Sequence, residues 1–160
     1  ALKAKGAGTV IAVDIDEKRL EMAKQLGADH VLISDETVPE KAAELVGNPD
    51  GVDVSVEVVG FGPTIQIAVN SVRKGGKISC VGNLKAEVPF PLQAVVTREL
   101  SVFGSCASAG EYAEAVEAVA DGSIQVDPLI SAVADLKDGG EWFHRLHKND
   151  EGLLKVILKP

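Results

Sequence analysis

The sequence predicts a doubly wound α/β fold on a parallel sheet, and three observations carry that prediction. Apolar, β-branched runs alternate with segments whose apolar residues recur every three to four positions. The runs are close to continuously apolar, as strands covered on both faces require, where a sheet with one wet face would alternate. The repeating strand and helix lengths match βαβ units, which join parallel strands by right-handed crossovers.

The elements follow in order. Ala1 to Lys5 read as the tail of a helix that Gly6 to Gly8 terminate. A first strand is expected over Thr9 to Val13, running into Asp14. The next helix starts at Asp16-Glu17, carries Leu20, Ala23 and Leu26 on one face, and stops at Gly27. His30 to Ile33 form the second strand. Pro39 suits the first turn of a helix bearing Ala42, Ala43, Leu45 and Val46. Val52 to Val58 is the third strand, and Ile65, Ala68, Val69 and Val72 mark a helix that the Gly75-Gly76 pair should end. Lys77 to Val81 and Leu100 to Phe103 are further strands, with the irregular, proline-bearing stretch from Asn83 to Thr97 between them. Tyr112, Ala115, Val116 and Val119 form a helix face closed by Gly122, Trp142, Phe143 and Leu146 form another, and Leu153 to Leu158 is the sixth strand.

A parallel sheet entered through a helix lacks the strand before that helix. The expectation is therefore an N-terminally truncated domain over residues 1–160, missing its first strand and the loop after it, and forming the C-terminal part of a longer protein.

Bulk properties narrow the function. The 160 residues are 46% hydrophobic and 25% charged, ordinary for one domain with a real core. A net charge of −8 argues against nucleic acid or an acidic membrane as partner, since both need clustered Lys and Arg. No apolar run is long enough to span a bilayer and no signal peptide is evident, so a cytoplasmic setting is expected. Cys80 and Cys106 form no C-x-x-C pair, which leaves no disulfide framework or cysteine zinc site to read.

The informative residue is Asp14. Ligands of open α/β sheets bind beyond the carboxyl ends of the strands, and a carboxylate there accepts both hydroxyl hydrogens of a ribose while repelling a 2′-phosphate. Asp14 thus points to an adenosine-type ligand, with NAD favoured over NADP. Helix capping is the other use of an acid at this point, and it falls to Asp16. The G-x-G-x-x-G loop that completes a dinucleotide fingerprint is not in the sequence; it would lie just before Ala1, about 20 residues upstream of the acid.

The succession VIAVDIDEKRLEMAKQLGADHVL, VDVSVEVVG, RKGGKISCVG, RELSVFGSCAS and GLLKVIL resembles the NAD-binding Rossmann domain of zinc-type medium-chain alcohol and polyol dehydrogenases, its sorbitol, butanediol and threonine dehydrogenase branch above all. The resemblance covers the whole chain. It implies that Asp14 binds the adenosine ribose with Arg19 beside it, and that Val59 and Gly60 lie under the adenine. It implies that Val81, Gly82 and Asn83 line the nicotinamide ribose and carboxamide, faced by the backbone of Ser105, Cys106 and Ala107. It implies that Lys155 reaches the pyrophosphate, and that AEVPFPL, residues 86–92, is an edge through which coenzyme domains pair, giving a homodimer or homotetramer. The implied partners are NAD(H) and a small alcohol.

The resemblance places catalytic zinc in a separate N-terminal domain, none of whose ligand motifs occurs here. His144 and His147, three apart, read as helix surface, and neither His30 nor the cysteines gain a catalytic role. The chain alone should bind a nucleotide without turning over an alcohol. Two rivals share the strand-end acid: an adenosylmethionine-dependent methyltransferase and a non-catalytic nucleotide-sensing domain. The first is opposed by VEVVGFG at the third strand's end and by the absence of a closing antiparallel pair, the second by RELSVFGSCAS and the long C-terminal unit.

Overall fold

A computed structural model describes residues 1–148 and 152–160. The observed class is the expected one: strands and helices alternate, and every strand pair is parallel. The chain forms two compact units, Gly8–Ala109 and a second made of Ala1–Ala7 with Gly110–Pro160.

The first unit contains β1 (Ile11–Asp14), α1 (Glu17–Gln25), β2 (His30–Ile33), α2 (Val38–Val46), β3 (Val52–Glu57), α3 (Gly62–Ser71), β4 (Val72–Cys80), α4 (Leu92–Thr97) and β5 (Ser101–Gly104). Its strands make two ladders, β1-β2 and β3-β4-β5, with no ladder bond joining them among the described residues. Within each ladder the carboxyl ends are level: Asp14 pairs with Ile33, Glu57 with Cys80, and Cys80 with Gly104. That alignment makes one common edge from the ends of β3, β4 and β5.

The core lies between α3 and the three-stranded ladder. Ile65, Ala68, Val69 and Val72 recur at helical spacing and are all buried, closing on Ile78 and Leu100. Arg98 secures the junction of α3 and β4 by donating to the carbonyls of Val69, at 3.1 Å, and Val72. Capping of α1 follows the sequence as well: the Asp16 carboxylate accepts from the amides of Lys18 and Arg19, and Gly27 closes the helix at φ +99°.

Four expectations need correction. The helix α3 does not run to Gly75-Gly76 but stops at Ser71, and β4 starts at once, pairing Val72 with Val52. Residues 73 to 76 then loop out of the ladder before Lys77 pairs with Val54, and Arg73 Nε holds the loop to Asp53 Oδ1 at 2.6 Å. Gly76 is needed there by space, since a Cβ would sit 2.3 Å from Val72 Cγ1 and 2.9 Å from the Asp53 carbonyl. Continuous cover of the strands also fails, because β5 is exposed along its length.

Within the 86–92 edge, Val88 packs on the core formed by α3 and β4. Phe90 and Leu92 are exposed large apolar side chains of residues 86–92.

The second unit contains α5 (Tyr112–Ala120), β6 (Ile130–Asp135), α6 (Gly139–Lys148) and β7 (Lys155–Lys159), with β6 and β7 in one parallel ladder. The third correction concerns Ala1 to Lys5, which form no helix. They make one hydrogen-bonded turn, with Lys5 N donating to Ala1 O and Ala7 N to Leu2 O, closed by Gly6 at φ +87°, so the termination expected of Gly6 is present without a helix before it. Lys5 forms an ion pair with Glu114. β6 is the fourth correction, a seventh strand that the sequence pattern hides. Tyr112, Val116 and Val119 on α5 are exposed.

Candidate nucleotide-binding site

Asp14 closes β1, and the turn after it is built around its side chain. Oδ1 accepts the Asp16 amide at 3.0 Å, which aims the other oxygen at Arg19, whose Nη1 is 3.9 Å away. The sequence suggested both residues for one ligand, and the start of α1 brings them together. A carboxylate offers about four acceptor positions, so one amide and one guanidinium leave room for hydroxyl donors. Ile15, which sequence reasoning passed over, is 81% exposed immediately beside the acid. A large apolar side chain left in water next to a strand-end carboxylate suits the flat face of a base.

The second part of the site is the edge formed by β3, β4 and β5. The chain leaves β3 through Val58, Val59 and Gly60 and leaves β4 through Val81, Gly82 and Asn83, and the two turns are bonded to each other. The Glu57 carbonyl accepts from Val81 N at 2.8 Å and Gly82 N at 3.1 Å; Leu84 N returns a bond to Val59 O at 3.1 Å, and Lys85 N to Gly60 O at 3.2 Å. Gly60 has φ +76°, and a Cβ on Gly82 would lie 2.1 Å from Gly60 N and 2.2 Å from Val59 N. Only glycine permits this approach. Above it stand the exposed apolar side chains of Val59 and Val81.

Ser105, Cys106 and Ala107 leave β5 in sequence, all exposed, and Ser105 N donates to the Cys80 carbonyl at 2.9 Å. Ala107 takes φ +51°, a left-handed conformation uncommon for a residue with a Cβ. The structure therefore gathers Val59, Gly60, Val81, Gly82, Asn83, Ser105, Cys106 and Ala107 on one strand edge. Asp14 and Arg19 meet at the carboxyl end of the other ladder. Lys155 opens β7, exposed, in the second unit, and is described with that unit.

Glu57 is a second residue that sequence reasoning missed. It is 4% exposed, and its carboxylate accepts from Val59 N, Gly60 N and Thr64 Oγ1 at 3.0, 3.0 and 2.7 Å. The signal was a lone acid inside the apolar run VSVEVVG.

Zinc does not fit these residues. Among those described, no three His, Cys, Asp or Glu side chains converge, and His144 and His147 are exposed on α6, where Arg145 stacks over Trp142 at 3.9 Å from the ring centroid. Burial, followed by the charge of Glu57, pushes the Cys80 thiol up, which keeps it protonated and weakly nucleophilic, whereas Cys106 is open to solvent. Treatment with a maleimide near neutral pH should label Cys106 at least tenfold faster than Cys80, a ratio that peptide mapping reads directly. Equal rates would mean that the end of β4 opens to solvent.

A carboxylate at a strand end, apolar faces left in water and a glycine-lined backbone edge suit a flat, hydroxyl-rich nucleotide. Comparison with known proteins gives the class. Residues 1–121 match the family described as zinc-binding dehydrogenase, and the chain belongs to that family.

Sorbitol dehydrogenase of Bacillus subtilis is 32% identical over all of this chain and 46% of its own length. L-idonate 5-dehydrogenase of Vitis vinifera is 35% identical over 82% of this chain and 37% of its own. The crystal structure of 2R,3R-butanediol dehydrogenase from Bacillus subtilis superposes with a TM-score of 0.88 at 25% identity, covering all of this chain and 46% of that one. The chain thus spans less than half the length of the relatives it matches. No described helix is long and apolar enough to cross a membrane.

Proposed function

We propose that residues 1–160 are the coenzyme-binding part of an NAD-dependent dehydrogenase that moves a hydride between a polyol or secondary alcohol and NAD. The observation that carries this is the Asp14 carboxylate at the carboxyl end of β1, with Arg19 and the exposed Ile15 beside it. In this reading Asp14 takes the adenosine ribose, Arg19 flanks it, and Ile15 and Val59 hold the adenine between apolar faces. Gly60 and Gly82 let the two turns under the ligand touch, Gly60 beneath the adenine and Gly82 with Val81 and Asn83 along the nicotinamide ribose, and Ser105, Cys106 and Ala107 face the carboxamide through their main chain. The role suggested for Lys155 is pyrophosphate contact.

Bound NAD supplies the hydride acceptor. These residues supply its orientation, which turns an encounter of alcohol and ring into a reaction of fixed geometry. Alcohol activation by zinc would belong to residues outside this chain. The polyol substrate is supported by the names of the relatives, and a homodimer or homotetramer by the exposed Phe90 and Leu92 in the 86–92 edge; the setting proposed is cytoplasmic. Family membership removes the support for the methyltransferase and sensor alternatives.

Titration of the protein that carries this chain with NADH and with adenosylmethionine, followed by calorimetry, tests the reading. NADH should bind in the micromolar range, about −8 kcal/mol, and adenosylmethionine should give no heat at the same concentration. Binding of adenosylmethionine without NADH would replace the dehydrogenase reading with the methyltransferase one.

A further inference from the structure

We propose that Glu57 is a positioning residue for the coenzyme: its buried carboxylate holds the turn after β3, to which its main-chain carbonyl ties the turn after β4, and so it fixes the two halves of the dinucleotide site in place. The inference rests on the coenzyme reading above and adds to it a residue that touches no ligand.

The geometry is unusual in using both ends of one residue. The side chain grips its own turn, with Val59 N at 3.0 Å from Oε1 and the Gly60 amide shared between Oε1 and Oε2 at 3.0 Å each. The main-chain carbonyl grips the neighbouring turn through Val81 N and Gly82 N. Thr64 Oγ1, in the first turn of α3, lies 2.7 Å from Oε1, so the start of that helix is tied to the same point.

Burying a carboxylate among neutral donors costs desolvation energy that a neutral side chain would avoid. What the carboxylate adds is charge-assisted bonds, shorter and about twice as strong as neutral ones, all directed at the Val59-Gly60 turn. That turn has nowhere to go without moving its neighbour, because Gly60 and Gly82 already touch and Leu84 and Lys85 bond back to Val59 and Gly60. A shift in one turn is therefore a shift in both. One turn carries the surface proposed for the adenine and the other that proposed for the nicotinamide ribose, so Glu57 fixes the position of the two surfaces as one unit.

The test compares NADH with AMP, which spans only the adenosine half, on wild type, Glu57→Gln and Thr64→Val in the protein that carries this chain. Glu57→Gln keeps the volume and one acceptor but turns an amide donor toward amide donors. It should raise the Kd for NADH roughly tenfold and the Kd for AMP by less than about threefold. Thr64→Val should shift the same ratio in the same direction by a smaller amount, and it decides the matter if Glu57→Gln does not fold. Faster amide exchange at Gly60 and Gly82 in Glu57→Gln should accompany the change.

Loss of stability alone would leave the affinity of the folded protein, and the NADH-to-AMP ratio, where they were. Folded variants with an unchanged ratio would overturn the positioning role. A folded wild type that binds no NADH would instead overturn the coenzyme reading on which the role depends.

Discussion

Asp14→Ala is expected to weaken NADH binding by about 1–3 kcal/mol, roughly 5- to 150-fold in Kd, and to reduce the preference for NADH over NADPH. Two effects combine. Removing the carboxylate deletes charge-assisted bonds to ribose hydroxyls, which are worth more than neutral ones. It also removes the repulsion that a 2′-phosphate would meet, and it frees Arg19, held 3.9 Å from Asp14, to turn toward such a phosphate. Affinity for NADH should therefore fall while affinity for NADPH holds or rises.

Asp16→Ala is the matching control. Its carboxylate caps α1 by accepting from Lys18 N and Arg19 N, so its loss should cost about 1 kcal/mol of stability with no change in coenzyme preference. Fluorescence titration with the two reduced coenzymes separates the outcomes. An Asp14→Ala protein with wild-type affinity and selectivity would take the residue out of the site.

That Asp16 could be read as the helix cap follows from local rules. Asp16 stands directly before Glu17 and a helical repeat, where a cap is required, while Asp14 ends an apolar run. The same locality made α3 legible, since its buried residues recur at a fixed spacing on one face. Where the outcome depends on distant partners, the sequence was silent or misleading. β6 reads ISAVAD, in which alanines and polar residues blur any apolar run, and it becomes a strand by pairing with β7, more than 20 residues away. The end of α3 was misjudged because Gly75-Gly76 looks like a helix stop, yet the close approach of Gly76 to the Asp53 carbonyl on β3 fixes its role. Val88 sits in a stretch that looks peripheral and is drawn onto the core by α3 and β4. Glu57 needed the fold most: the helix start with Thr64 and the two turns that its bonds join meet only when β3, α3 and β4 are assembled.

Gly82→Ala should be the most damaging single-methyl change in the chain's first unit, at about 2–4 kcal/mol of stability. The added Cβ would fall 2.1 Å from Gly60 N and 2.2 Å from Val59 N and Val59 C, all backbone atoms, so no side-chain rotation relieves the clash. The turn after β3 cannot retreat freely, because the buried Glu57 carboxylate holds Val59 and Gly60 from behind. The strain must then open the Glu57 carbonyl bonds to Val81 and Gly82 or lift the Glu57 side chain off its donors, and either leaves buried polar groups unpaired. For a chain of this size the melting temperature should fall by about 5–15 °C. NADH affinity should fall as well in the fraction that folds, since both turns belong to the proposed site. Gly104→Ala on β5 is the comparison, with nothing within 4 Å of its added Cβ, and should stay within about 0.5 kcal/mol of wild type. Thermal and urea denaturation of the two variants, side by side, measure the difference. Equal stability would mean that the turns after β3 and β4 do not touch, and would remove the physical basis for reading them as one coenzyme platform.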